Sequence, residues 1–373
     1  AMDTVAGFMR DAGLTPRVDP AATVVGRLAG DGRDRRTLIL GSHIDTVRDA
    51  GKYDGTLGVL APIVVLQRIR RAGIELPFDI EIVAFGDEEG VRYPTTLTGS
   101  RALAGKFDAR FLDEKDASGV TREEALRAFG LNTRDIAREA RDPTRVIGYV
   151  EVHIEQGPVL EARNLPVGVV TGIAGATRGR VVVRGESGHA GTVPMTLRHD
   201  ALATAAEMIL AVETVARRSA PVVATVGRLE VANGAVNTVP GHVEFTLDVR
   251  APTDSVRQKA LADIRAALDE IAARRNVTAD VAYTYDAPAV ASDPALVREL
   301  SGAVARQGHE VLQLASGAGH DAMSFGGRLP AAMLFVRCRG GVSHSPLEFA
   351  TAEDMDAAGR VLLDFILHLA DAA

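Results

Sequence analysis

The chain has 373 residues, more than the roughly 250–300 that one hydrophobic core normally serves, so the sequence predicts two domains. Its apolar content of 46% and charged content of 24% are typical of globular proteins. A net charge of −7 with no long Lys/Arg run argues against a nucleic-acid partner, and the longest apolar stretch, Val59–Leu66, is too short to span a membrane.

The one cysteine, Cys338, has no second cysteine to pair with, which favours a reducing, cytoplasmic location. We interpret it as a small buried residue at a strand end rather than a nucleophile, because no base is evident beside it. The first residues lack a basic segment followed by an apolar one, so we expect no secretion signal.

Short apolar runs alternate with helices and end in loops that carry acids or histidines. A helix over Leu57–Arg71, closed by Gly73, separates the first two runs. Polar residues that follow strands in this way indicate an α/β fold with its ligand site at the strand tips. The four predicted strands are Thr37–Leu40, Asp79–Phe85, Val146–Ile154 and Ala331–Val336.

The segment 177–286 has a different pattern, in which strands and amphipathic helices follow the order β-α-β-β-α-β. This order is typical of a ferredoxin-like domain, so we predict an insertion at 177–286 that interrupts a domain formed by 1–176 and 287–373. Its predicted elements are Arg178–Arg184, Arg198–Arg217, Val222–Leu229, His242–Val249, Asp254–Arg275 and Val277–Tyr285.

The first candidate metal ligands lie after the first strand. In extended backbone, residues two apart point the same way, so Asp45 can reach the far ring nitrogen of His43 and orient it as a ligand. Asp54 stands beside Gly55, where the chain can turn tightly. A carboxylate in that position can bridge two cations about 3.5–4 Å apart.

Glu88 and Glu89 are adjacent at the end of a strand, and their side chains should therefore point to opposite sides. The pattern indicates one metal ligand and one carboxylate that acts as a general base on a water molecule. A solvated acidic turn is the alternative if the pair is considered alone.

His153 and His344 complete a set of three imidazoles and two carboxylates. Such a set suits zinc, manganese, cobalt or nickel better than magnesium or calcium. With two divalent cations the site would keep a net positive charge, which can polarise a carbonyl oxygen and favour ionisation of water.

At these residues the chain resembles the amidohydrolase/carbamoylase branch of the M20 metallopeptidase-like family, which includes allantoate amidohydrolases, N-carbamoyl-L-amino-acid hydrolases and β-ureidopropionases. The similarity extends in order from about residue 37 to 350. The runs that carry it are SHIDTV, DGTLGV, FGDEEGVRYPTTLTGSRALAG, EVHIEQGP, GHAGTVPM, VNTVPG, DVRAP, GAGHDAMS and GGVSHSP.

The resemblance implies a role for each candidate ligand. Asp54 would bridge two divalent cations, with His43 and His153 completing one site and Glu89 and His344 the other. Glu88 would be the general base, and Asp45 would orient His43. Peptidases of the family carry an acidic residue where this chain has His153 and a longer segment before the bridging aspartate, so the resemblance points to a ureido-type rather than a peptide bond.

The resemblance also implies a catalytic α/β domain with a central mixed sheet, interrupted by a ferredoxin-like lid through which the chain forms a homodimer. Relatives usually have some tens of residues before the segment that matches Ala1–Gly30, which implies a shortened N-terminus. The substrate groups lie partly on the lid, so we expect the lid to close on the substrate.

The expected substrate is a small ureido carboxylate, which requires a cation with fork geometry, and Arg250 is the candidate clamp. Asn237 can bind a ureido group. His189 resembles the family histidine that stabilises the oxyanion, delivered in related enzymes by the partner subunit. Gln156 and His320 match positions that face the substrate.

The leading interpretation is an allantoate amidohydrolase, because the run from Phe335 to His344 is more similar to those enzymes. N-Carbamoyl-L-amino-acid hydrolase is the close alternative, followed by β-ureidopropionase. Two hypotheses come from other functional classes. One is a dipeptidase or deacylase, and the other is a non-catalytic binding protein on the same scaffold.

Overall fold

A computed structural model describes residues 1–372 of the chain. The chain divides into two compact units, one of Ala1–Gly172 with Ala291–Ala373 and the other of Ile173–Val290. The insertion predicted at 177–286 lies within the second unit, whose bounds are four residues wider at each end.

The first unit is built on a mixed sheet of nine strands. Its centre consists of parallel strands, and antiparallel strands lie toward both edges. Most residues of the central strands are buried whichever way they point, because helices cover both faces of the sheet. The strands in spatial order are Thr15–Val18, Val24–Leu28, Asp79–Phe85, Thr37–His43, Val146–Ile154, Ala331–Val336, Val167–Ile173 and Val290–Ala291, with Gln313–Ser316 also paired to Val167–Ile173.

The longer helices of this unit bury their apolar stripes against the sheet in one core cluster, and these are Met2–Asp11, Thr56–Arg71, Pro294–Arg306 and Ala352–Asp371. The shorter helices of the unit are Thr98–Leu103, Arg122–Ala128, Val159–Ala162 and Ala322–Phe325. Short 3₁₀ turns lie at Ala109–Asp113, Thr133–Glu139, Pro143–Arg145 and Arg339–Gly341.

The predicted strands of this unit agree closely with the observed ones. Asp79–Phe85, Val146–Ile154 and Ala331–Val336 have the predicted bounds, whereas the strand from Thr37 continues three residues further, to His43. The helix Thr56–Arg71 ends as predicted. Gly73 adopts φ +69° and donates its N–H to the Arg70 carbonyl, as glycine does in a helix C-cap.

The second unit contains an antiparallel sheet covered by two helices, with its own core. The elements follow the predicted order. In chain order they are Gly175–Arg184, Ala201–Arg218, Val223–Thr225, Leu229–Val231, His242–Ala251, Asp254–Arg274 and Thr278–Ala287, and a separate two-stranded ribbon pairs Gly188–His189 with Thr238–Val239.

One predicted strand of this unit is wrong: Val222–Leu229 is not continuous. Val223–Thr225 and Leu229–Val231 pair with different parts of strand His242–Ala251. Between them, the Arg228 carbonyl still accepts the Thr246 N–H, but the Arg228 N–H donates to the Thr246 hydroxyl, so a side chain takes the place of one ladder partner. Alternating β-branched residues do not reveal such a break.

Among the described residues, no helix is both long and apolar enough to cross a membrane.

Candidate metal centre

Neighbouring strands of the central sheet bring the candidate ligands to one edge. Three parallel pairings align Thr37–His43 with Asp79–Phe85 and Val146–Ile154, and Val146–Ile154 with Ala331–Val336. His43 is the last residue of its strand and His153 the last but one of its own. The loops that follow the other two strands carry Glu88, Glu89 and His344.

Asp54 lies at the centre of the site and is only 3% exposed. Its Oδ1 is 3.1 Å from His153 Nε2 and 3.5 Å from His43 Nε2, whereas its Oδ2 is 3.1 Å from His344 Nε2. The two oxygens therefore face separate groups of ligands, which is the arrangement that a bridging carboxylate requires.

Two sets of ligand atoms converge around this carboxylate, each within 4.8 Å of one another. One set is His43, Asp54 and His153, and the other is Asp54, Glu89 and His344. These are the two groupings that the sequence resemblance implied. The nitrogen and carboxylate donors suit a divalent transition metal or zinc, so the residues present fit a two-cation centre.

The ring orientations of the two buried histidines leave their Nε2 atoms for a cation. His43 Nδ1 is 2.9 Å from the Asp45 main-chain oxygen, and His153 Nδ1 is 2.9 Å from that of Ile154. Because a carbonyl only accepts, each Nδ1 must carry the hydrogen. In the neutral ring each Nε2 then carries the lone pair that a metal ligand needs. His153 Nε2 accepts the Gly55 N–H at 3.3 Å, a contact that a cation would have to replace.

The role predicted for the Asp45 side chain is wrong in detail. Its carboxylate lies 3.7 Å from His43 Nδ1, too far for a hydrogen bond, and the ring Nδ1–H donates instead to the Asp45 carbonyl at 2.9 Å. The carboxylate accepts the backbone N–H groups of Glu88 and Glu89, each at 3.1 Å. The chain leaves its strand after His43, so the alternation of extended backbone no longer applies at Asp45.

The pKa shifts of Asp54 and His43 show that positive charge is favoured around the Asp54 carboxylate. Burial opposes the charged form of Asp54, but the hydrogen bonds from His153 and His43 outweigh it and lower the Asp54 pKa. Burial also opposes a charged His43, yet Asp54 and Glu88 raise the pKa of that histidine well above its usual value. A proton on His43 thus supplies positive charge where a cation would bring it.

Glu88 belongs to neither of these two sets, although its carboxylate also lies within 4.8 Å of ligand atoms of His43 and Glu89. Burial raises its pKa well above the ordinary value, and the negative charges of Asp321, Glu89 and Asp45 add to this while His43 opposes it. A carboxylate with a raised pKa is a better proton acceptor at neutral pH than an ordinary glutamate.

A buried arginine holds the loop that carries Glu88. Arg122 is bonded to the neighbouring Asp87, and also to Glu114 and the Thr98 hydroxyl. Its guanidinium lies 4.5 Å from the centre of the Tyr93 ring. Sequence reasoning did not identify Arg122, because its partners come from separate parts of the chain.

Gln156 contacts the Asp54 carboxylate directly. Its Nε2 donates to Asp54 Oδ2 at 2.9 Å and to Ser343 Oγ at 3.1 Å. Its backbone has φ +56°, which is uncommon for a residue other than glycine. Within residues 1–372, its buried Oε1 has no hydrogen-bond partner and can accept from a ligand.

His320 packs behind the ligands. It is 1% exposed, its Nε2 is 2.8 Å from Ser316 Oγ, and its ring centre is 4.4 Å from that of His153. Burial lowers its pKa well below the usual value, so it is neutral. Its observed contacts support the His153 ring, and contact with a substrate stays a prediction.

Glu151 is a further residue that sequence reasoning missed. It is fully buried, accepts a hydrogen bond from Ser42 Oγ at 2.7 Å and another from the Ala322 N–H at 3.0 Å. It therefore ties together the chain segments next to His43 and His320. The signal was available, since Glu151 precedes His153 by two positions on the same strand and so shares its side of the sheet.

Two candidate substrate-binding residues of the second unit, His189 and Asn237, lie on neighbouring segments of backbone. Strand pairing places His189 opposite Thr238, and the Ala190 N–H donates to the Asn237 carbonyl. The Gly191 N–H donates to His189 Nδ1 at 3.1 Å, so the neutral ring carries its hydrogen on Nε2. Arg250 lies on another strand, where its Nε and Nη2 donate to the two oxygens of Asp248.

Comparison with known proteins agrees with this architecture. The sequence profile of peptidase family M20/M25/M40 matches residues 39–368. The chain therefore belongs to the M20 family, and like its characterised relatives it is a hydrolase that acts on linear amides.

Within that family its similarity is to amidohydrolases. It is 41% identical to an allantoate deiminase of Arabidopsis thaliana over 98% of this chain and 76% of the relative. It is also 41% identical to an N-carbamoyl-L-amino acid amidohydrolase of Geobacillus stearothermophilus, over 99% and 90%. A hydantoinase/carbamoylase family amidase from Burkholderia multivorans superposes with a TM-score of 0.92 at 34% identity, covering 99% and 89% of the two chains.

Proposed function

We propose that this chain is a binuclear-metal amidohydrolase that cleaves a ureido C–N bond, with allantoate as its substrate. The observation that carries the proposal is Asp54, whose two oxygens face separate ligand sets in a chain that is 41% identical to an allantoate deiminase. Equal identity to an N-carbamoyl-L-amino acid amidohydrolase makes that activity the second candidate. The run from Phe335 to His344 favours allantoate.

His43, Asp54 and His153 would hold one divalent cation, and Asp54, Glu89 and His344 the other. When bound, the cations would polarise the ureido carbonyl and favour ionisation of a water molecule at neutral pH. The mixed nitrogen and oxygen donors favour manganese or zinc, with cobalt or nickel as further candidates.

Glu88 would move the proton. Its carboxylate can take a proton from the attacking water and then deliver it to the departing nitrogen, which leaves as ammonia. The N–H groups of Glu88 and Glu89 are fixed by Asp45, so the base and a ligand are held by one carboxylate. With allantoate, the products would be ammonia, carbon dioxide and a ureido acid.

We further propose that the second unit is a ferredoxin-like lid and dimerisation domain that supplies His189, Asn237 and Arg250 to the substrate. The support is the match of their motifs, together with the donor Nε2–H of His189. Because Asp248 engages Arg250, a substrate carboxylate would have to replace Asp248 or share the guanidinium with it.

A substrate panel tests the assignment. The protein would be stripped with a chelator, reconstituted with manganese, zinc, cobalt or nickel singly, and assayed with allantoate, N-carbamoyl amino acids, 3-ureidopropionate and acyl-amino acids. We expect ammonia release from allantoate that depends on added metal. Robust turnover of N-carbamoyl amino acids without turnover of allantoate would reject our first choice in favour of the second.

A further inference from the structure

Glu348 is a buried carboxylate beside the candidate metal centre that belongs to neither ligand set. It is 4% exposed. Its Oε1 accepts the backbone N–H groups of Tyr53 and Asp54 at 2.9 and 3.0 Å, and its Oε2 accepts from Ser343 Oγ at 3.0 Å. One side chain thus joins the turn that carries the bridging carboxylate to the loop that carries His344.

The Ser343 hydroxyl extends this connection to Asp54 itself. Ser343 Oγ lies 3.1 Å from Asp54 Oδ2 and also accepts from Gln156 Nε2 at 3.1 Å. A hydroxyl has one hydrogen and so donates to one carboxylate at a time. When Asp54 binds a cation, Glu348 gives this hydrogen an alternative acceptor.

The surrounding backbone is shaped to admit Glu348. A Cβ added at Gly51 would lie 2.2 Å from Glu348 Oε1 and 2.4 Å from its Cβ, so the turn before Asp54 wraps tightly around the carboxylate. His344 has φ +54°, a left-handed conformation that costs a residue other than glycine about 1 kcal/mol. A loop in that conformation needs outside contacts to hold it.

We infer that Glu348 is a positioning residue that aligns Asp54 and His344 as ligands of the second cation. This inference rests on the proposed two-metal centre and is independent of which ureido compound is the substrate. Outer groups that orient metal ligands typically change metal affinity by 10–100-fold when they are removed.

Metal affinity rather than turnover tests the inference. Wild type, Glu348→Ala and Glu348→Gln would be stripped of metal and titrated with Zn²⁺ against a chromophoric chelator, and melting temperatures would be recorded with and without metal. We expect Glu348→Ala to bind one of the two cations about 10–100-fold more weakly, and to gain less melting temperature from metal. Glu348→Gln should restore most of the affinity, because its amide oxygen can accept both N–H groups and its NH₂ can donate to Ser343.

Asp19→Ala is the matched control. Asp19 is also a buried carboxylate that accepts two backbone N–H groups, from Ala21 and Thr23, but it contacts none of the candidate ligands. Its removal should change the melting temperature of the metal-free protein and leave both cation affinities unchanged. A purely structural role of Glu348 would give that same pattern and would overturn the inference.

The remaining outcomes are also decisive. If Glu348→Ala does not fold, Ser343→Ala breaks the same link more gently, and unchanged affinity in that variant overturns the inference. If the wild-type protein binds fewer than two cations, the proposed centre is rejected and the inference with it. Two tight cations in wild type, with an unaltered second affinity in Glu348→Ala, would reject the inference alone.

Discussion

Two acidic side chains next to the ligands act through the backbone. Asp45 accepts the N–H groups of Glu88 and Glu89, and Glu348 accepts those of Tyr53 and Asp54. Backbone amides have little freedom to move once their carboxylate is fixed, so these contacts place the proposed base and the proposed bridging ligand more firmly than side-chain contacts alone. Hydrogen bonds to a charged acceptor are also stronger than neutral ones.

Replacing Glu88 separates proton transfer from metal binding. Glu88→Gln keeps the shape of the side chain but cannot take a proton, so we expect turnover to fall by about 10²–10⁴-fold while metal content stays at the wild-type level. Steady-state assays together with metal analysis measure both. As a comparison, Glu89→Gln should lose metal, and a Glu88→Gln enzyme with undiminished turnover would remove Glu88 from its proposed role.

Asp19 makes the stability of the chain depend on pH. It is 1% exposed, and burial raises its pKa to about 6 although the Thr23 N–H opposes this. The folded-state pKa exceeds that of the unfolded chain, so the folded state prefers the neutral carboxyl. This favourable contribution is complete below about pH 4 and is lost as the pH rises through about 6.

Asp19→Asn should therefore remove this pH dependence. Between pH 4 and pH 7, the free energy of unfolding of wild type should fall relative to the variant by on the order of 2–3 kcal/mol. Urea unfolding of the metal-free proteins at several pH values measures the difference. A constant gap between the two proteins across that range would show that Asp19 ionises normally.

The helix Thr56–Arg71 depends on a glycine at each end for different reasons. Gly55 and Gly73 both have positive φ, +67° and +69°, but Gly55 combines it with ψ −54°, which lies outside the left-handed helical region. A Cβ at Gly55 would lie 2.3 Å from His43 Nδ1, whereas a Cβ at Gly73 would meet nothing within 4 Å. The first glycine lets the helix start against a ligand ring, and the second only ends the helix.

Metal affinity, measured beside stability, separates backbone strain at these two glycines from crowding of the site. Gly73→Ala should cost about 1 kcal/mol, since only the left-handed conformation is penalised. Gly55→Ala should cost clearly more and should also weaken metal binding, because His43 must shift. Denaturation midpoints and metal titrations measure both effects. Equal losses of stability in the two variants, with unchanged metal affinity, would contradict the crowding argument.

At the scale of the whole molecule, the first unit is made from two stretches of chain separated by the second unit. The parallel pairing of Val146–Ile154 with Ala331–Val336 closes it, and the same pairing brings the loop of His344 to the ligands from the earlier strands. The second unit has its own core, so its insertion into the chain is compatible with the pairing that completes the sheet of the first unit.

Heterodimers test whether His189 acts across the proposed dimer. Alone, Glu88→Gln lacks the base and His189→Ala lacks the oxyanion donor, so both should be nearly inactive. If His189 serves the partner's site, a mixed dimer has one site with both groups intact and should recover activity. Differently tagged chains, co-expressed and purified in tandem, supply that species. Mixed dimers as inactive as their parents would indicate that His189 serves its own subunit.

Much of the site could be predicted because its chemistry depends on residue types at strand ends. Histidines and carboxylates after short apolar runs indicated His43, Asp54, Glu89 and His153, and parallel strands bring such positions to one edge of a sheet. The predicted strands of the first unit agreed with the observed ones because buried parallel strands are short apolar runs. The broken strand at Val222–Leu229 was not predictable, because a side chain far along the sequence replaces its ladder partner.

The sequence by itself thus predicted the types of candidate ligand, their division into two sets and the interrupted order of the chain, since these predictions depend on local pattern and on motif resemblance. Only the tertiary structure decided which atoms meet. Asp45 bonds to the Glu88–Glu89 backbone, Gln156 to Asp54, and Glu348 to a turn that lies 294 positions earlier in the chain. Hydrogen bonds of this kind join segments that are remote in sequence, and they depend on the direction in which donor and acceptor point. Local residue patterns carry no information on either property.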